Sequence, residues 1–447
     1  MTRTRTHLSL LSLTAALAAL TGCSANGSTV GQEPSGSGTG GSASGTGGAS
    51  SSTGGAPGSG AAPGSGGFNA GGGAGTPSGS CTPSGPDHDG DGYTVEQGDC
   101  NDCDPNANPG AYDVAGNGLD EDCSGTPDDE PTACDQGLAL EANDPMDAAR
   151  ALGLCRIANA GSWGVVSARW TGPDGSSPTG ISPQKCSAEG GGNQVPASPP
   201  NPLSRGILPK FGNVIRPREG GSLVALSTGI AREGINHFSP MGELMCTTGN
   251  APPGFPKDSP DCSVQTASVK TTIDSIALEL VIKVPSNAHS FSFAFDFFTF
   301  EFPDYVCKKY NDFFVALLAS QHPATPADKN ISFDSKGGPV SVNNAFVEAC
   351  DPKLGATTPK KYPCKLGVAE LAGTGFQKSQ WGSDHASTSW LGTTASIVPG
   401  ETITLRFAIW DMNDAFLDST VLLDEFTWSV DPASGDTPPV TAPMNPK

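Results

Sequence analysis

Residues 289–312 read HSFSFAFDFFTFEFPDYVCKKYND, a stretch with seven phenylalanines. Phe291, Phe293, Phe295 and Phe297 alternate with Ser292, Ala294 and Asp296. Side chains two apart on a strand share a face, so this pattern predicts an inner strand of a sheet that lays an aromatic ridge into a core. Phe298, Phe300 and Phe302 continue in the opposite phase, which predicts a bulge or bend near Phe297 and Phe298. Glu301, Pro303, Asp304 and Tyr305 then close the strand in a loop, and a second apolar run begins at Phe313.

Other strand signals lie at residues 164–170, 223–228, 276–284, 313–319, 402–410 and 420–430, separated by loops rich in Gly and Pro. Asp144 before Pro145 is a helix N-cap with proline at the first helical position, and Met146, Ala149, Leu152 and Leu154 fit one helical face. The expected fold is therefore all-β, an antiparallel sandwich of jelly-roll type over residues 135–432 opened by one short helix. Residues 433–447 read as a flexible tail.

The N-terminal third is different in kind. Residues 24–80 are mostly Gly, Ser, Ala, Thr and Pro, with Glu33 as the one charge and Phe68 as the one aromatic, too little apolar surface to offset the entropy of ordering. They read as a disordered tether whose mean span is on the order of 40 Å. Residues 87–130 hold 14 acidic residues and no Lys or Arg, within a chain of formal net charge −21. Such a field argues against nucleic acid and for cations as partners.

Arg3 and Arg5 precede an apolar run at residues 8–20, too short to span a bilayer and flanked like an export signal. The run ends in Leu20-Thr21-Gly22-Cys23, which resembles the lipobox of bacterial lipoproteins. The resemblance implies a signal peptide over residues 1–22, cleavage before Cys23, acylation of that cysteine and a lipid anchor. Ser24 after it favours the outer membrane. Twelve cysteines remain, namely Cys81, Cys100, Cys103, Cys123, Cys134, Cys155, Cys186, Cys246, Cys262, Cys307, Cys350 and Cys364. An even count in an exported chain reads as a disulfide framework, with Cys134–Cys155 and Cys350–Cys364 as local pairs.

In residues 81–134, Asp87, Asp89 and Asp91 stand at positions 1, 3 and 5 of a loop with Gly92 at position 6, the start of an EF-hand-like cation loop. Position 12 is Gly98, and the next carboxylate is Asp99. Downstream come Asp102, Asn117, Asp120 and Asp122. The blocks D-x-D-G-D-G, G-D-C-x-D, N-P-G-A and N-G-x-D-x-D-C follow in the order of the MopE-type metal-binding repeat, which this segment resembles. Copper is attached to that family's name, yet the segment has one imidazole, His88, no Met and many hard oxygens, so calcium fits its ligand chemistry. The other reading is an acidic, solvated spacer held by disulfides, and in both readings the module is a stalk or joint.

Residues 211–229, 274–280, 295–313 and 408–419 resemble the successive signatures of the choice-of-anchor L domain of bacterial surface proteins, whose own activity is unassigned. That family's Ser-Glu-Glu-Tyr-Pro block is here Thr299-Phe300-Glu301-Phe302-Pro303. Glu301, Asn311, Asp312, Asp411, Asp414 and Asp418 sit at strand ends and, if those ends converge, offer a second calcium site. Turn roles, or a carboxylate pair acting as acid and base, are the other readings of these residues. Ser227 lies in a sequence resembling a nucleophile elbow, without its first glycine and with no evident partner among the histidines. Trp381, Trp390 and Trp410 read as core, although Trp381 with Asp384 and His385 lies in a polar stretch that could meet a glycan.

The expected function is that of a surface-displayed bacterial lipoprotein, membrane-held by its lipid, whose calcium-stabilised sandwich binds a glycan or a surface protein without catalysis. A hydrolase of extracellular polysaccharide or peptide using loop carboxylates, and a purely structural envelope protein, are the alternatives.

Overall fold

The structure, a computed structural model, describes residues 86–130, 133–139, 143–159, 162–180, 193–194, 202–231, 243–262, 271–344, 346–377, 382–413, 415–431 and 437–445. Cys23, Cys81, Cys186, Trp381, Asp414 and the whole of the signal peptide and tether lie outside the described residues.

Strands run in chain order as β1 (Gly164–Thr171), β2 (Thr179–Gly180), β3 (Asn193–Gln194), β4 (Arg205–Leu208), β5 (Leu223–Ser227), β6 (Glu243–Leu244), β7 (Thr247–Asn250), β8 (Thr271–Lys283), β9 (Ser290–Thr299), β10 (Phe313–Ala319), β11 (Ala386–Ser387), β12 (Leu391–Ser396), β13 (Thr402–Asp411), β14 (Ser419–Ser429) and β15 (Val440–Pro443). One sheet has the order β10-β13-β8-β7-β2, with β1 beside β7 on the same edge of β8. The other has the order β15-β12-β9-β14-β5-β4, with β11 also on β9. Every pairing within these two sheets is antiparallel. The chain is an all-β sandwich, as its sequence predicts.

The core lies between the sheets. Phe291, Phe293, Phe295 and Phe297 of β9 meet Leu278 and Leu280 of β8, Phe314 of β10 and Phe407 of β13 in one buried cluster. Phe293 packs edge-on to Phe407 at 4.9 Å, and Phe295 lies 5.0 Å from Phe314. The opposite phase needs no bulge at Phe297 and Phe298, and the expectation of one there is corrected. The register of β9 with β14 is unbroken through both residues. Phe298 and Phe300 face the other side of the same sheet, where Phe211, Leu371 and Phe376 bury them in a second cluster. Both faces are thus apolar at the C-terminal end of β9, while Ser292 and Asp296 lie further back on the far face. The bulge falls in β14, between Asp424 and Thr427, where Glu425 takes φ 54°.

Helix α1 (Pro145–Ala151) begins as expected, with the Asp144 side chain accepting from the Met146 N–H at 2.9 Å. A second helix, α2 (Pro352–Gly355), is a single turn capped by Asp351. The tail is not wholly free: β15, inside the segment expected to be flexible, pairs with β12 over Leu391 to Thr394 and extends the second sheet.

Residues 70–447 form one compact unit, so the acidic module is no free-standing stalk. The buried Asn287 accepts from the Tyr112 N–H at 2.8 Å and donates to the Tyr112 and Asn106 carbonyls. Ser286 Oγ donates to Asn108 Oδ1 at 2.6 Å, and Trp163 Nε1 donates to the Ala111 carbonyl at 2.6 Å. Arg156 lies over the Trp163 ring and reaches Asp122 and Glu130. The turn between β8 and β9 is thereby stitched to the module. Disulfides join Cys100–Cys123, Cys134–Cys155, Cys262–Cys307 and Cys350–Cys364, and Cys103 and Cys246 are disulfide-bonded as well. Both local pairs expected from the sequence are present.

Candidate functional site

The first site is the acidic loop. Asp87 folds it, its two oxygens accepting from the N–H groups of Gly90 at 2.6 Å and Gly92 at 2.9 Å. Both glycines have positive φ, 86° and 95°, the conformation this sharp turn requires. Asp89 accepts from Asp91 N–H and Asp91 from Tyr93 N–H, in each case through Oδ1. Asp87, Asp89 and Asp91 each bring an oxygen within 4.8 Å of the others. Asp99, 4 % exposed, joins them from the following turn. Its Oδ1 accepts from Asn101 N–H, whereas Oδ2 of Asp89, of Asp91 and of Asp99 are all buried without a hydrogen-bond donor. Burial, with Asp99 and Asp87 among the nearby negative charges, raises the pKa of Asp89; burial, with Asp89 and Asp99, raises that of Asp91. Three orphaned carboxylate oxygens, two in the loop and one in the following turn, are a donor set for a hard cation.

Asp102 is fully buried but engaged with His88, through the backbone N–H at 3.0 Å and the ring Nδ1 at 3.2 Å. The remaining expected ligands of the module fall in a second group. Asp120 accepts from Ser124 and Gly125 N–H, and Asn117 accepts from Leu119 N–H and donates to Glu121. Asp122 clusters with Asp113 and Asp129, and Arg156 at 3.2 Å supplies the countercharge. Asp113 accepts from the N–H groups of Glu121 and Asp129 and organises this turn. It lies two residues past the end of the N-P-G-A block, a carboxylate not read as a ligand from the sequence.

The second group of sequence-predicted ligands does converge at one end of the sandwich. Asp312 immediately precedes β10, Asp411 ends β13, Asp418 immediately precedes β14, and Glu301 lies two residues past β9. Asp312, Asp411 and Asp418 are at most 2 % exposed, Asn311 is fully buried and Glu301 is 3 % exposed. Glu301 Oε2 accepts from Asp312 N–H at 3.3 Å, and Asp312 Oδ2 accepts from Ser419 Oγ at 2.8 Å. Asp274 of β8, which opens one of the family-like signatures but is not read as a ligand from the sequence, is buried beside them and accepts from Met245 and Thr247 N–H.

Ser227 is buried, donates to the Ser419 carbonyl and accepts from Gly229 N–H and Thr420 Oγ1, so its hydroxyl is a strand-end brace. His385 is also buried, stacked 3.5 Å from Phe300 with Nδ1 2.6 Å from the Phe302 carbonyl. Burial pulls its pKa down to about 4, which keeps the ring neutral. Trp410 is core, stacked on Phe313.

Trp390, partly buried, packs on the second cluster with Arg218 over its ring, and it also lines an open groove of about 620 Å³ with Val214, Arg216, Leu366, Glu370 and Met444. Behind it, the fully buried Asp296 accepts from Ser387 Oγ at 2.7 Å. Burial, then the adjoining Glu370, pushes the Asp296 pKa well up, and burial raises that of Glu370.

A sandwich with carboxylates gathered at one sheet end and an acidic loop docked at the β8–β9 turn is the class of protein this geometry defines. The family model of the Choice-of-anchor L domain matches residues 221–428, from just before β5 to the penultimate residue of β14. The match leaves the acidic module, β1 to β4 and β15 outside it. No curated protein and no solved structure matches the chain.

Proposed function

We propose that the chain is a lipid-anchored protein displayed at the bacterial surface, in which a calcium-holding acidic module braces a non-catalytic β-sandwich that binds a glycan. The observation that carries the calcium reading is the set of buried, donorless oxygens on Asp89, Asp91 and Asp99 beside Asp87. Calcium takes six to eight oxygen ligands and tolerates irregular loops, which suits this set better than octahedral magnesium. Surface display draws on the lipobox-like Leu20-Thr21-Gly22-Cys23 and on the family match. The Trp390 groove supplies an aromatic face flanked by hydroxyl and charged groups, the chemistry that receives a sugar ring.

The groove's carboxylates favour binding over hydrolysis: Glu348 is paired with Lys365 at 3.0 Å, and Glu370 accepts from Ser389 and leans on Asp296. Cells expressing the full chain should incorporate labelled fatty acid and retain added polysaccharide. Cys23→Ser should lose the label and release the protein, while Trp390→Ala should stay on the cell and lose the polysaccharide. Steady shortening of the polysaccharide by the purified chain would instead make it a hydrolase.

A further inference from the structure

Strands of both sheets end together where Asp274, Asp312, Asp411 and Asp418 meet. A register shift between Ile409 and Asp411 sets Asp411 opposite Ile273 of β8, next to Asp274. Phe313, directly after Asp312, pairs with Trp410, directly before Asp411. Asp418 comes from the other sheet, where Ser419 pairs with Thr299 of β9. Gly229 gives it room, since a Cβ there would collide with the Asp418 carboxylate.

A buried carboxylate whose oxygens find no donor is costly. No ion pair among the described residues reaches Asp274 or Asp411. Asp274 at least has two N–H donors. Asp411 does not: both its oxygens are buried with no donor in hydrogen-bond geometry. The nearby Thr228 hydroxyl, which eases its charge, faces the Ser419 carbonyl at 3.5 Å. The amide of Asn311 is likewise fully buried with neither its oxygen nor its nitrogen hydrogen-bonded. A carboxylate and an amide, both buried, thus offer oxygens that no protein donor occupies.

We propose that this sheet end is a second calcium site, in which Asp411 and the Asn311 carbonyl are the primary ligands and the ion ties the two sheets together. Carboxylate and amide oxygens with no sulfur or imidazole are hard donors, and a divalent ion neutralises two of the charges at once. The site goes beyond the acidic module and does not depend on it: either one can fail alone.

The test counts calcium bound to the full chain by equilibrium dialysis and follows its melting, for the parent and for Asp411→Asn and Asp99→Asn. The parent should hold two ions and each variant one, with about tenfold or greater weakening at the altered site. Asp411→Asn should melt lower than the parent in calcium and no lower in chelator. A parent that loses one ion through Asp99→Asn but none through Asp411→Asn, with Asp411→Asn more stable in both buffers, would overturn the sheet-end site and show that the pocket holds protons. If Asp411→Asn does not fold, Asn311→Ala gives the same two readouts. Loss of an ion through Asp411→Asn but not through Asp99→Asn would leave the sheet end standing and remove the module site.

Discussion

Phe293→Ala is expected to destabilise the sandwich by about 3–5 kcal/mol, a large part of the stability of a domain this size. The ring is 1 % exposed and touches Phe291, Phe295 and Phe407, so it bridges β9 and β13 across the two sheets. Its removal takes away the transfer free energy of the ring and leaves a cavity that rigid neighbours on paired strands cannot close. Urea unfolding monitored by tryptophan fluorescence measures the loss. Val214→Ser, at a side chain 55 % exposed, serves as the comparison and should change stability by less than about 0.5 kcal/mol. Equal effects at the two positions would mean that the aromatic ridge is not the core.

A second large effect is expected from pH. Asp424 sits at the β14 bulge, fully buried, and accepts from the N–H groups of Arg218, Glu219 and Glu425. Even with those donors, burial raises its carboxyl to about 7. The fold therefore favours the protonated form, and the folded state binds more protons than the unfolded one. The stabilisation is complete below about pH 4 and disappears as pH rises through about 7, a change on the order of 3–4 kcal/mol from this group. In chelator the melting temperature should fall over that interval, and Asp424→Asn should flatten the slope. A parent that becomes more stable from pH 4 to 7 would contradict the placement of this carboxyl.

Alternation and capping made the central strands and α1 readable from the residues alone, because each rests on neighbours a few positions away. The strands that inspection missed are short or polar: β12 reads Leu-Gly-Thr-Thr-Ala-Ser and owes its form to the β9 edge, and β15 reads Val-Thr-Ala-Pro and owes its form to β12. The phase change after Phe297 misled for a physical reason. A switch of apolar phase marks a bulge only if one face of the sheet is wet, and here residues 371–376 and Phe211 cover the far face. Docking of the acidic module was illegible because it rests on Asn287 and Ser286, small polar residues whose partners lie more than 170 positions away. The same distance effect hid Asp274, which resembles any polar residue near a strand start until β13 is placed against it.

Calorimetric titration of the purified chain with calcium, paired with melting in calcium and in chelator, tests the central claim most directly. The account predicts saturable binding and a higher melting temperature in calcium, with about 4 kcal/mol of added stability per site when free calcium is a thousand times the dissociation constant. No heat of binding together with identical melting in both buffers would contradict it, and would turn the carboxylates of the acidic loop and the sheet end into solvated or protonated turn residues.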